Sequence, residues 1–444
     1  MPGMDVNLDE LAIRSPVYKV PSNTHASPGQ EYAKDQKTGE NDLVIAAKLH
    51  PGSNNERPSD GTPEQYESKF AAKLYTVSYL ILFAILGTLS RLGLQDIAFY
   101  AGAPVTFSVL WANFGGSLFM GYLIEDRVLF GQVWAASPDN TQPENHEPKS
   151  DEERGSRSSN NVVDLTATLS NHAATKKTIP LFIGLTTGFC GSFTSFSSFI
   201  RDTFLALSND LPTPVSHSSQ VISATSTVPR SGGYSFMASV AVVVITVTSC
   251  ISGFCMGTHL AIALEPYSLS LPYTFIRKIL DRAIVLIAWG CWLGAVLLSI
   301  LPPDRNSGGA EVWRGRAVYA IVFAPLGCLG RFLVSLYLNR KTSSFPLGTF
   351  AVNIVGTAIL GIIWDLQHLE IGGVVGCQVL QGVEDGFCGC LTTVSTWVAE
   401  MSTLRLWHAY RYGSSSVIVA LCFLVVIMGS LRWTAGFADI LCVK

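Results

Sequence analysis

The sequence predicts an all-α integral membrane protein in which two inverted four-helix repeats are joined by a linker transmembrane helix, about nine transmembrane helices in all. Three observations predict it. Apolar residues make up 48% of the 444-residue chain and charged residues only 14%, against roughly 25% in soluble domains; the mean hydropathy is +0.33. Apolar segments of about 20 residues, the length that crosses a bilayer, recur along the chain. A run dense in glycine and hydroxyl residues lies inside two of those segments: Gly188-Phe-Cys-Gly-Ser-Phe-Thr-Ser-Phe-Ser197 returns as Gly386-Phe-Cys-Gly-Cys-Leu-Thr-Thr-Val-Ser395. Such a run weakens a helix, and irregular backbone at membrane depth persists only where it is buried in protein or lines a cavity.

Residues 1–70 are polar, rich in Ser, Pro, Asn, Asp and Lys, and without apolar periodicity. They are expected to form a disordered cytoplasmic tail, and they lack the pattern of a secretory signal peptide. Nine membrane-length segments follow, near 72–94, 104–125, 179–201, 236–260, 283–301, 317–337, 347–366, 372–397 and 415–433. Polar islands at 131–177 and 205–232 read as loops.

The internal repeat orders these segments. Gly87-Thr-Leu-Ser-Arg91 corresponds to Gly327-Cys-Leu-Gly-Arg331, and Asn113-Phe-Gly-Gly-Ser117 to Asn353-Ile-Val-Gly-Thr357. Arg331 follows Arg91, and Asn353 follows Asn113, by 240 residues; Gly389 follows Gly191 by 198, the shortfall matching the polar loop inserted in the first half. Three blocks in one order define two units: a first repeat over 71–262, a linker with an inverter helix over 263–315, and a second repeat over 316–444. Five crossings separate equivalent helices, so the halves run in opposite directions. Thirteen basic residues fall in loops expected inside against seven outside, although Arg305, Arg314 and Arg316 oppose this count. The positive-inside rule then puts the N-terminus in the cytoplasm.

Several functions are excluded. A net charge of -3 with no basic block argues for no nucleic-acid partner. Most of the ten cysteines lie in apolar runs as small hydrophobes, and Cys377, Cys388 and Cys390 find no further ligand for a zinc set. No phosphate-binding, zinc-protease or nucleophile-elbow motif occurs, so the chain does not read as an enzyme.

The polar residues at membrane depth suit a small, strongly hydrated anion. Asn113 and Asn353 offer amide N–H donors, or else interhelical bonds among close-packed glycines. Phe193, Phe196 and Phe199 fall at a helical spacing of three, and aromatic edges are positive; the same stripe also reads as core. Thr194, Ser195, Ser197 and Ser198 add hydroxyls. Arg91 and Arg331 either snorkel to headgroups, attract anions or tie helices. Glu384 and Asp385, which precede the second run, read as groups of a solvated vestibule or as a half that repels anions.

These blocks resemble those of the Fluc/CrcB fluoride channels, and the tandem arrangement resembles the eukaryotic fluoride exporter (FEX) proteins. The resemblance covers about 330 residues, from near 75 to near 433. It implies a fluoride path carrying Asn113, Asn353, the rings of Phe196 and Phe199, and the hydroxyls of Thr194, Ser195, Ser197, Thr393 and Ser395. Val394 and Trp397 stand where the second half would supply its two rings, so the two pathways are expected to be unequal. The resemblance further implies a structural sodium ion held by backbone carbonyls of Gly191, Thr194, Gly389 and Thr392, and a single chain acting as a pseudo-dimer in the plasma membrane. The expected function is passive fluoride export from the cytoplasm, conferring fluoride resistance. A proton-coupled transporter using Glu384 or Asp385, and a non-transporting membrane scaffold, are the alternatives.

Overall fold

Long apolar stretches satisfy their backbone polar groups at membrane depth by forming helices, and no strand occurs among the described residues. The computed structural model describes residues 63–98, 100, 103–131, 176–211, 230–301, 312–369, 373–438 and 440. All but the last turns of the expected tail, most of the 131–177 loop, and residues 212–229 and 302–311 lie outside them. Of the described residues, those from Ala72 onward belong to one compact unit, and the start of the first helix, 63–71, belongs to a second.

The first half comprises α1 (Pro63–Ala98), α2 (Leu110–Glu125), α3, α4 (Phe196–Ser208) and α5 (Gly232–Leu264). α3 is built of Pro180–Ile183, a π-helical stretch Gly184–Cys190, and Gly191–Phe193. The linker helix is α6 (Asp281–Ile300). The second half repeats the order with α7 (Val312–Leu338), α8 (Leu347–Gln367), α9, α10 (Ser395–Thr403) and α11 (Leu406–Thr434). Like α3, α9 has a π-helical centre, Val383–Cys388, between Gly373–Gly382 and Gly389–Leu391.

Among the described residues, six helices are long and apolar enough to cross a membrane: Phe70–Ala98, Gly232–Tyr267, Ile276–Ile300, Arg316–Lys341, Leu347–Gln367 and Leu406–Thr434. The other three expected spans depart from single full-length helices for identifiable reasons. α2 has 16 residues, about 24 Å at 1.5 Å per residue, short of a hydrocarbon core about 30 Å thick. Its lead-in after Pro104 is non-helical. The spans expected at 179–201 and 372–397 are each two helices separated by a short non-helical break inside the repeated run, at 194–195 and 392–394.

Equivalent helices pack in equivalent ways, α2 on α5 and α8 on α11. α1 approaches α3 backbone to backbone at Gly87, where an added methyl would stand 2.7 Å from the Phe189 carbonyl oxygen; Gly327 meets Phe387 on α9 in the same way. The linker α6 attaches to α1 and α7 by side chains. Tyr79 donates to Asp281 Oδ1 at 3.0 Å, Trp289 Nε1 to Ser78 Oγ at 3.1 Å, and Trp292 Nε1 to Val322 O at 3.0 Å. It is the least buried of the six spans, as befits an inverter at the periphery. Of the three cysteines weighed as a zinc set, Cys377 is disulfide-bonded.

Candidate functional site

An asparagine holds each break open. Asn113 on α2 accepts at Oδ1 from Ser195 N (2.8 Å) and donates from Nδ2 to Ser195 O (3.3 Å). Asn353 on α8 makes the same pair with Thr393, at 2.9 and 3.2 Å. These backbone groups are thereby drawn out of the helical ladder. Thr194 and Ser195 stay extended at φ -92°, ψ 148° and φ -137°, ψ 117°, and Thr392 at φ -92°, ψ 154°. An amide has two N–H donors, and the clamp uses one of them.

The two breaks meet. Thr194 Oγ1 lies 3.3 Å from Thr393 Oγ1 and 3.1 Å from Ser395 Oγ, and it accepts the N–H groups of Val394 (3.2 Å) and Ser395 (3.1 Å). In return, Thr392 Oγ1 accepts from Ser197 N (3.1 Å) and lies 3.0 Å from Ser197 Oγ. Each threonine thus caps the first turn of the helix that resumes in the other half. Ser195 caps its own helix, accepting from Ser198 N at 3.3 Å.

Rings gather beside this junction. Phe196 meets Phe199 edge to face at 5.8 Å and 83°, and Trp397 of the second half at 5.4 Å and 66°. All three are buried. Phe193 does not join them: it ends α3 and stacks on Phe189 at 5.5 Å, because helical spacing counted across a break defines no common face. Val394 is buried and contributes no ring.

Arg91 and Arg331 are buried rather than directed to headgroups. Arg91 donates to the Asp385 carbonyl of the other half. Arg331 donates to Cys390 O (2.8 Å) and, across the halves, to Thr187 O (2.9 Å). Each guanidinium lies where a side chain on Gly191 or Gly389 would stand.

The vestibule reading of Glu384 and Asp385 is corrected: both are buried and ion-paired. Glu384 pairs with Arg201, whose Nη2 also reaches Asp202 Oδ1 (3.2 Å) and Ser108 Oγ (3.3 Å). Asp385 pairs with Arg316 at 3.3 Å and accepts from Gln381 Nε2 at 2.7 Å, while Arg316 also holds Asp96 at 2.9 Å. Burial at this depth requires such partners, and they come from sequence positions far from the motif.

A second acidic pair was not singled out by the sequence reading. Asp202 Oδ2 accepts Ser108 N at 3.0 Å, at the start of α2. Glu400 accepts from Thr349 Oγ1 (2.6 Å) at the start of α8, from Asn339 Nδ2 (3.1 Å) and from Tyr412 OH (2.7 Å). Asp202 follows Gly191, and Glu400 follows Gly389, by the same interval; extending the repeat alignment would have found both.

The carbonyl set proposed for a cation suits one. The N–H groups of Ser195 and Thr393, four residues beyond Gly191 and Gly389, go to the asparagines. Thr194 and Thr392 are extended, which turns their carbonyls out of the helical ladder. Oxygen-only donors of this kind suit a hard cation.

The model of the CrcB-like proteins, described as Camphor Resistance (CrcB), matches residues 78–258 and 318–430. The chain belongs to the CrcB-like family. The CrcB match leaves the linker α6 between two matched stretches, each holding one clamp asparagine, one break and one buried arginine. Over 388 residues, 86% of this chain and 71% of the relative, it is 55% identical to Fluoride export protein 1 of Neurospora crassa. It is 30% identical to Fluoride export protein 1 of Candida albicans over 418 residues, covering 90% and 92% of the two chains. It is 41% identical to the Fluoride-specific ion channel FluC of Geotalea uraniireducens over 90 residues, 20% of this chain and 69% of that one. No solved structure matches the chain.

Proposed function

We propose that this multi-pass membrane protein is a fluoride-selective channel of the plasma membrane, exporting fluoride from the cytoplasm by passive electrodiffusion and so conferring fluoride resistance. The observation that carries this reading is the junction itself. Amides, hydroxyls and ring edges meet there at full burial, and a small anion gives up its water only to donors of this kind. The names of the relatives agree. Asn113, Asn353, Phe196, Phe199, Trp397 and the hydroxyls of Thr194, Ser195, Ser197, Thr393 and Ser395 would line the path. Gly191, Thr194, Gly389 and Thr392 would hold a sodium ion through their carbonyls, and its positive charge would favour an anion nearby.

A proton-coupled transporter is disfavoured. Its two candidate carriers, Glu384 and Asp385, are engaged by Arg201 and Arg316. An inside-negative potential supplies about 2.3 kcal/mol per charge per 100 mV in the outward direction, so no coupling ion is needed. The disulfide at Cys377 suits an oxidising compartment, the side expected to be external when the N-terminus is cytoplasmic.

The test is efflux from liposomes under an imposed potential, read with fluoride and chloride electrodes. Fast fluoride efflux, without chloride efflux and insensitive to a pH gradient, is expected. Flux that follows the pH gradient would bring back the transporter reading.

A further inference from the structure

The hydroxyls at the junction are largely spoken for. Those of Thr194, Ser195, Ser197, Thr392, Thr393 and Ser395 each have a hydrogen-bond partner within the protein. The Trp397 indole is different. It is 1% exposed, its ring meets the Phe196 ring at 5.4 Å, and its Nε1 has no hydrogen-bond partner. Indole N–H is a donor only, and a buried donor left unmade is costly, so this nitrogen calls for an acceptor. α10, which carries Trp397, packs on α2, which carries Asn113. α2 also carries Ser117, buried and paired with the Cys250 thiol. Thr357, the equivalent residue of the second half, is already bonded to Asn353 O at 2.6 Å.

We infer that the Trp397 indole N–H is a fluoride hydrogen-bond donor, so that bound fluoride sits against Trp397 and the edge of Phe196, at the contact between the two halves. The inference rests on the fluoride reading and sharpens it. In place of the weakly positive C–H edge that a phenylalanine would present, the second half supplies an N–H, and the bond it makes to an anion is charge-assisted. Fluoride, small and basic, gains most from such a donor, whereas chloride gains less. Trp364 offers a comparison within the same chain: its Nε1 also lacks a partner, but its ring lies 5.4 Å from the Arg201 guanidinium, in the ion-paired cluster.

The experiment is a 1H–15N spectrum of the indole region of the full-length protein in detergent micelles, titrated with sodium fluoride and separately with sodium chloride. Trp397→Phe and Trp397→Tyr each identify the Trp397 resonance by its disappearance, and fluoride efflux from liposomes is measured on the same preparations. The expected result is a saturable shift of the Trp397 N–H with fluoride and not with chloride, together with roughly tenfold slower fluoride efflux in Trp397→Phe, the loss of one charge-assisted bond. If the wild-type protein conducts fluoride while the Trp397 resonance does not move, this inference falls and the channel reading stands. If neither efflux nor a shift is seen, both fall.

Discussion

At the scale of single residues, the asparagines act first on the backbone. Asn113 and Asn353 hold Ser195 and Thr393 out of the helix, and what they spare for an ion is the second amide N–H. Asn353→Leu should therefore cost about 1–3 kcal/mol, because two buried backbone groups of Thr393 lose their partners. It should also abolish fluoride efflux. Thermal unfolding in detergent and liposome efflux measure the two effects separately; an unchanged unfolding temperature would remove the clamp from this account. Glu400 makes a different prediction. Its carboxyl is held by neutral donors alone, so Glu400→Ala should cost about 1–3 kcal/mol by leaving the Thr349, Asn339 and Tyr412 donors without a buried acceptor. Glu400→Gln should recover part of that loss, as unfolding temperatures in detergent will record.

At the scale of the elements, glycine decides how closely helices approach. A methyl at Gly87 would stand 2.7 Å from the Phe189 carbonyl oxygen, and backbone cannot give way as a side chain can. Gly87→Ala is thus expected to destabilise by about 1–3 kcal/mol and to displace α3 with its break; the loss would show in unfolding temperature and efflux together. Much of this was legible in the sequence, since the duplicated run located both breaks and the repeat offset paired Asn113 with Asn353 and Arg91 with Arg331. Two things were not. Helical spacing read across the break put Phe193 with Phe196, because periodicity assumes an uninterrupted helix. The environment of Glu384 and Asp385 depended on Arg201 and Arg316, which lie 183 and 69 residues away and are brought near by tertiary packing alone.

At the scale of the whole molecule, the halves are interlocked rather than merely adjacent. Each threonine of one break caps a helix of the other half, Arg91 and Arg331 cross between halves, and Glu384 of the second half pairs with Arg201 of the first. The last pair yields a prediction that separates assembly from transport. Removing one partner strands a buried charge, so Arg201→Gln is expected to destabilise by about 3–5 kcal/mol. Glu384→Gln should cost less, since Arg201 retains Asp202. The double variant should lie closer to wild type than the sum of the two singles, a coupling that a double-mutant cycle of unfolding free energies reads directly. Where the folded fraction is equal, fluoride efflux through Glu384→Gln is expected to match the wild type and, as the proposed channel requires, to be insensitive to a pH gradient, because the carboxylate is engaged in the join between halves. Efflux that collapses in a fully folded Glu384→Gln protein would instead make Glu384 part of the transport chemistry.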